Sequence, residues 1–242
     1  YQRALTLLTK SSLDDFVNDV TNTLADNLTN TLADTLAEEL DLLTSLGNAH
    51  LHRGELDEAI AHYRRILTAQ PDNVSVRANL GVALRRLGRD TEAIAHYRHG
   101  LQINPRFPDL YFNLGNVLRD RDEIEVAVDC YKQALTLQPN HANGWNNLAN
   151  ALKDLNRVKE AIACYRNALK LDPNHASAHH NLGYALLLSG DLHQGFAEYE
   201  WRWRVRSFKS PPNFPQPPWD GSDLQGKTIL LYTEQGFGDT IQ

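Results

Sequence analysis

Four asparagines lie 34 residues apart along this chain of 242 residues: Asn79, Asn113, Asn147 and Asn181. Asparagine is a mediocre helix former, so its recurrence in one register needs a reason other than helix propensity. A side-chain amide offers a donor and an acceptor, and it can therefore pair with the backbone of an extended peptide without reading the peptide's side chains. The row predicts a peptide-binding surface. The alternative is that these amides bond to neighbouring parts of the same fold.

Two more polar rows keep this register. Three residues after the first row come amides, and six residues after it come cations, which could favour an acidic peptide or be ordinary solvated side chains. These rows add the following candidates for peptide contact: Asn48, Asn116 and Asn150, then Arg85, Arg119 and Lys153.

A glycine turn near the end of the chain is the one candidate for a cofactor contact. Residues 227–232 have a buried-strand pattern, and Gly236, Gly238 and Asp239 follow as a turn into a helix start. The third glycine of a dinucleotide fingerprint is missing, and Asp239 is equally explained as a helix N-cap. The sequence therefore predicts no cofactor bound by these residues alone.

The histidines and cysteines have structural explanations. His175 and His179 have helical i, i+4 spacing, but His175 falls in a predicted loop, so no metal site is expected. Cys130 and Cys164 lie one 34-residue period apart, too far for a disulfide, and two cysteines are too few for a disulfide framework. We therefore expect a reducing, cytoplasmic location.

The elements that must position these residues follow from the same period. Prolines 71, 105, 139 and 173 are 34 residues apart, and counting from residues 40, 74, 108, 142 and 176 as position 1 aligns the other columns. Position 8 is always glycine or alanine, position 20 is small, position 24 is tyrosine, and position 15 is Gly, Asp or Asn. Within each period apolar residues recur at helical spacing, so each period predicts two antiparallel helices joined by a turn at position 15.

The period, the small residues at 8 and 20, the aromatic at 24 and the proline at 32 resemble the tetratricopeptide repeat. The resemblance implies an all-α fold, a right-handed solenoid of stacked helix hairpins in which the first helix of each pair lines the concave surface. It covers repeats 40–73, 74–107, 108–141, 142–175 and 176–207, the last of them irregular. The repeats that clamp a carboxylate need cations at positions 2 and 5, which are absent here, so capture of a peptide C-terminus is not expected.

The N-terminal part departs from the period. Residues 1–8 resemble the end of a second helix, which predicts the remnant of a truncated repeat, and residues 9–39 form an acidic helical insert. Its apolar row, from Phe16 to Leu40 in steps of four, rotates around a straight helix, so no flat surface could bury it. The insert either packs on its own solenoid or mediates self-association, which would make the chain a homo-oligomer.

The C-terminal part predicts a domain junction. Residues 208–226 form a proline-rich linker, and residues 227–242 are expected to open a truncated α/β domain. Residues 198–242 resemble the junction between tetratricopeptide repeats and the transferase domain in bacterial relatives of the O-linked N-acetylglucosamine transferases. The resemblance implies a parent protein that uses a nucleotide sugar, while this chain itself would have no transferase activity.

Charge and hydropathy exclude other classes of function. The net charge is −6, and residues 11–52 contain eight carboxylates and neither lysine nor arginine. No apolar run approaches the ~20 residues that cross a bilayer. We therefore expect no nucleic acid and no membrane among the partners, and a module that binds a peptide or protein. A free-standing adaptor without an enzymatic domain is the alternative to the glycosyltransferase parent.

Overall fold

The computed structural model describes residues 31–205, together with residues 22 and 29. Within that range the chain consists of helices and short turns, which confirms the predicted all-α fold. The chain divides into two compact units, Tyr1–Pro139 and Asn140–Gln242. The predictions for residues 1–8, for the linker 208–226 and for the α/β start at 227–242, with Gly236, Gly238 and Asp239, lie outside the described residues.

Each unit is a series of helix hairpins, in which an odd-numbered first helix packs on the even-numbered second helix that follows it. In the first unit the helices are α1 (described over 31–53), α2 (Leu56–Ala69), α3 (Val74–Arg86), α4 (Asp90–Ile103), α5 (Pro108–Asp120) and α6 (Ile124–Leu137). In the second unit they are α7 (Ala142–Asp154), α8 (Val158–Leu171), α9 (Ala176–Leu188) and α10 (Leu192–Tyr199), and the 3-10 helix Glu200–Arg204 follows.

The helix ends agree with the periodic signals. Helices α3, α5, α7 and α9 begin at the predicted first positions. The side chains of Asn73, His141 and His175 accept hydrogen bonds from backbone N–H groups in the first turns of α3, α7 and α9. Helices α2, α4, α6 and α8 each end two residues before a proline of the period, because proline cannot continue a helix.

The turn inside every hairpin requires a left-handed backbone at position 15. The φ angles are +83° at Gly54, +75° at Gly88, +65° at Asp122, +58° at Asn156 and +88° at Gly190. Glycine adopts this conformation without strain, and Asn and Asp tolerate it better than other residues. The structure therefore confirms the predicted turn in all five hairpins.

The two helices of a hairpin approach closely where position 8 meets the tyrosine at position 24. A Cβ atom placed on Gly81 would lie 2.3 Å from Cε1 of Tyr97, and one on Gly115 would lie 2.8 Å from the same atom of Tyr131. Both rings are fully buried. The last hairpin is different, because a Cβ on Gly183 would meet the backbone nitrogen of Tyr199 at 2.5 Å. There the helices are in contact backbone to backbone.

Helix α1 runs without a break across residue 40, where we placed the start of the first repeat. Its leucines do not share one environment: Leu40 and Leu43 are buried, whereas Leu32 and Leu36 are exposed. Of the leucines of the row that the structure describes, Leu40 is therefore the buried one. Self-association through the insert stays a prediction.

We expect Gly88→Ala to lower the free energy of unfolding by about 1 kcal/mol, because an alanine Cβ is strained at a positive φ. No atom lies within 4 Å of the new Cβ, so the substitution isolates the backbone effect from packing. Gly88→Asn should cost less, since Asn156 occupies the equivalent turn. Unfolding in urea measures the free energy of unfolding of both variants. Equal losses in the two variants would contradict the explanation by backbone strain.

Candidate functional site

In the first unit, the first helices of neighbouring hairpins are joined by the predicted amides. The side chain of Asn79 on α3 donates from Nδ2 to Oδ1 of Asn48 on α1, at 3.0 Å. The same oxygen accepts the hydroxyl of Tyr63 at 2.8 Å. Both asparagines are half-buried, so they also face solvent. Asn48 and Asn79 therefore lie side by side on one surface of this unit.

The tyrosine–asparagine pair is a recurring structure that the sequence analysis missed. The hydroxyl of Tyr131 donates to Oδ1 of Asn116 at 2.8 Å, and that of Tyr165 donates to Oδ1 of Asn150 at 2.6 Å. In each hairpin the two residues are 15 positions apart, and this spacing was the available signal. The second amide row, which we predicted to contact peptide, thus also holds the buried tyrosines.

The second hairpin breaks this pattern. Its position 9 is Val82, which has no hydrogen-bond acceptor on its side chain, and the hydroxyl of Tyr97 opposite is buried without a partner. Among the described residues it is the one buried side-chain nitrogen or oxygen atom in this condition. A buried unsatisfied hydroxyl destabilises the fold, so the exception at Val82 requires an explanation.

The four asparagines of the first row are all half-buried, but they differ in their partners. Asn79 bonds to Asn48, and Asn181 in the second unit donates to Oδ1 of Asn146 at 3.2 Å. For these two, the amides do bond to neighbouring repeats, which was the alternative to peptide contact. Asn147 also has a partner. Within the described part of the chain, the side chain of Asn113 has no hydrogen-bond partner.

The predicted cations are occupied by groups of the same chain. Nη2 of Arg85 lies 2.5 Å from Oδ2 of Asp120 on the next first helix. Arg119 hydrogen-bonds the hydroxyl of Tyr131. Nζ of Lys153 lies 3.9 Å from Oδ1 of Asp154. The ammonium group of Lys153 also lies 5.3 Å from the ring centroid of Tyr184. The positive charge of this row is therefore partly neutralised.

Burial keeps the tyrosine hydroxyls protonated. It raises the pKa of Tyr63 to about 12, and it raises the pKa values of Tyr97 and Tyr131 further. Each hydroxyl is therefore a hydrogen-bond donor at neutral pH.

The remaining candidates take structural roles. His175 caps α9 and contacts Oδ1 of Asn143 at 2.8 Å, while His179 contacts Glu198 and the carbonyl oxygen of Pro173. In the described range, no three His, Cys, Asp or Glu side chains are grouped to hold a metal ion. Neither Cys130 nor Cys164, both of which lie in that range, forms a disulfide. None of the described helices is long and apolar enough to span a membrane.

Comparison with known families identifies the repeats. A family model described as TPR repeat matches residues 115–156 and 149–190, and one described as tetratricopeptide repeat matches residues 25–74 and 44–108. A search of curated protein sequences finds no significant match.

Solved structures with the same fold are numerous. PilF of Pseudomonas aeruginosa is 22% identical with a TM-score of 0.65, over 69% of this chain and 77% of PilF. MamA of Desulfovibrio magneticus RS-1 is 19% identical with a TM-score of 0.61, over 69% of this chain and 97% of the MamA chain. YrrB, described as a TPR protein with an unusual peptide-binding site, is 19% identical with a TM-score of 0.56, over 68% of this chain and 84% of the YrrB chain.

The tyrosine–asparagine pairs predict a difference between otherwise equivalent substitutions. Tyr131→Phe and Tyr165→Phe should each lower the free energy of unfolding by about 1 kcal/mol or more, because each removes the bond to its asparagine, and Tyr131→Phe also removes the bond to Arg119. Tyr97→Phe should leave it unchanged or raise it, since that hydroxyl has no partner. The three rings are equally buried, so packing is matched. A loss at Tyr97 as large as at Tyr131, in urea unfolding, would refute this account.

Proposed function

Because this chain belongs to the tetratricopeptide-repeat family, whose models together match more than half of it, we propose that it is a protein-interaction module that binds an extended peptide. Within a unit, the ligand would lie along the side-chain amides of the first helices. The observation that carries the proposal is the recurrence of half-buried amides on the first helices, of which Asn48 and Asn79 lie in contact in the first unit.

The geometry of the repeats supports recognition of the peptide backbone. First helices that pack at ~9 Å would offer one amide for about every third residue of a strand that rises ~3.3 Å per residue. An amide pairs with both the N–H and the C=O of a peptide unit, so it matches a backbone of any sequence. YrrB, which has this fold, is described as having a peptide-binding site.

Because Arg85 and Lys153 already have carboxylate partners in the chain, we do not expect an acidic ligand. Arg85 is bonded to Asp120, and Lys153 lies near Asp154, so neither is a bare positive charge awaiting an acidic peptide. Surface ion pairs of this kind contribute little and are screened by salt. We therefore assign specificity to amides and shape, and expect binding to depend weakly on ionic strength.

We further propose that the module presents its peptides to a glycosyltransferase domain. The support is the sequence resemblance of residues 198–242, most of which lie outside the described range. The competing proposal is an adaptor without an enzymatic domain. The reading frame of the parent gene separates them: a donor-sugar pocket encoded after Gln242 supports the first, and an early stop codon supports the second.

Substituting Asn79, Asn113, Asn147 and Asn181 together by alanine should weaken peptide binding at least about tenfold, because several hydrogen bonds of roughly 1 kcal/mol each are lost. The probe is a peptide selected from a random 12-residue phage library on the wild-type chain and measured by calorimetry. Asn167→Ala, on the second helix α8, is the matched control and should keep wild-type affinity. Unchanged affinity in the fourfold variant would contradict the proposal.

The same peptide tests whether its backbone is recognised. N-methylation of one backbone amide at a time should weaken binding at positions about three residues apart, whereas alanine substitution at those positions should have a smaller effect. The opposite pattern, with strong alanine effects and harmless N-methylation, would show that side chains carry the recognition.

A further inference from the structure

We propose that Asn113 is the principal anchor for the ligand's backbone, and that Val82 keeps its amide available. The inference rests on the proposed peptide-binding function and assigns Asn113 a larger contribution to binding than the other three asparagines of the row. These three have partners within the chain. Asn79 bonds to Asn48, Asn181 bonds to Asn146, and Asn147 also has a partner. Asn113 is the one whose side chain has no hydrogen bond in the described range.

The cause lies in the preceding repeat. Asn79 is held by an acceptor at position 9 of the repeat before it, and Asn181 by one at position 5. The equivalent residues in front of Asn113 are Val82 and Ala78, and neither side chain has a polar atom. The second repeat therefore offers no acceptor at either place where the other first-row amides find one.

An unengaged amide contributes more to binding than an engaged one. A ligand that bonds to Asn79 must compete with, or share, its bond to Asn48, so little is gained in net terms. A ligand that bonds to Asn113 replaces only water. Its donors and its acceptor are all available to one peptide unit, which makes it the strongest hydrogen-bonding position in the row.

The buried hydroxyl of Tyr97 is independent support for a functional role of Val82. An asparagine at position 9 satisfies the tyrosine in three other hairpins, so Val82→Asn should supply the missing acceptor. In the part of the chain that the structure describes, the hydroxyl of Tyr97 is instead buried without a hydrogen-bond partner. Local rules that are broken at a cost in stability are expected at functional or strained sites.

The subsite has a definite chemistry. Val82 is half-buried, so part of its side chain faces the amide surface, and Ala78 is buried beside it on α3. The ligand class is thus a peptide whose backbone pairs with Asn113 and whose adjacent side chain is small and aliphatic. We expect the peptides selected from the phage library to share such a residue.

The test compares single substitutions with the phage-selected peptide. Asn113→Ala should weaken binding at least about fivefold, and Asn79→Ala, its matched control in the same register, less than about twofold. Val82→Asn should raise the urea midpoint of unfolding, because both Tyr97 and Asn113 gain an acceptor, and it should weaken binding as much as Asn113→Ala does. Val82→Ile, which adds no acceptor, should leave the hydroxyl of Tyr97 without a partner and should therefore not raise the urea midpoint.

The double variant Val82→Asn/Asn113→Ala should bind no more weakly than Asn113→Ala alone, since both changes remove the same amide. In the unliganded Val82→Asn chain, the side-chain amide protons of Asn113 should also exchange more slowly by NMR. Equal effects of Asn113→Ala and Asn79→Ala, with wild-type binding by Val82→Asn, would overturn this inference. The proposed function fails separately, if the fourfold asparagine variant binds like wild type.

Discussion

The close approach of the two helices in each hairpin, where a small residue meets a buried tyrosine, is the contact on which the rest of the structure depends. Gly81 has no room for a side chain beside the ring of Tyr97, and the other glycines at position 8 are similarly confined. This contact sets the distance between the helices of a hairpin. The left-handed turns at position 15 and the prolines after the second helices then set where each helix ends.

The same tyrosine connects the fold to the candidate site. Its ring fills the space between the helices, while its hydroxyl reaches the amide surface and bonds to an asparagine there. Asn48, Asn116 and Asn150 are therefore fixed in orientation by the core, which is what a recognition surface needs to avoid losing side-chain entropy on binding. The buried tyrosine of a hairpin thus orients an asparagine on the surface of its first helix.

Much of the fold followed from the sequence because its signals are local and repeated. The starts of α3, α5, α7 and α9, the turn at position 15 and the ends before proline each depend on one or two residues of known conformational preference. The partners of the site residues did not follow. Whether Asn79 bonds to Asn48, or Arg85 to Asp120, depends on how neighbouring repeats are placed, and no local signal contains that placement.

The asparagine row also shows why a repeated residue need not have a repeated role. An amide has a limited number of hydrogen bonds, so each bond made to a neighbouring repeat is one that a ligand cannot have without competition. A row in which every amide were satisfied internally would be stable but a poor binder, and a row with none satisfied would be poorly ordered. In the second repeat, Val82 interrupts the series of asparagines at position 9. The other amides stay ordered by their internal hydrogen bonds, while the amide of Asn113 stays available to the ligand.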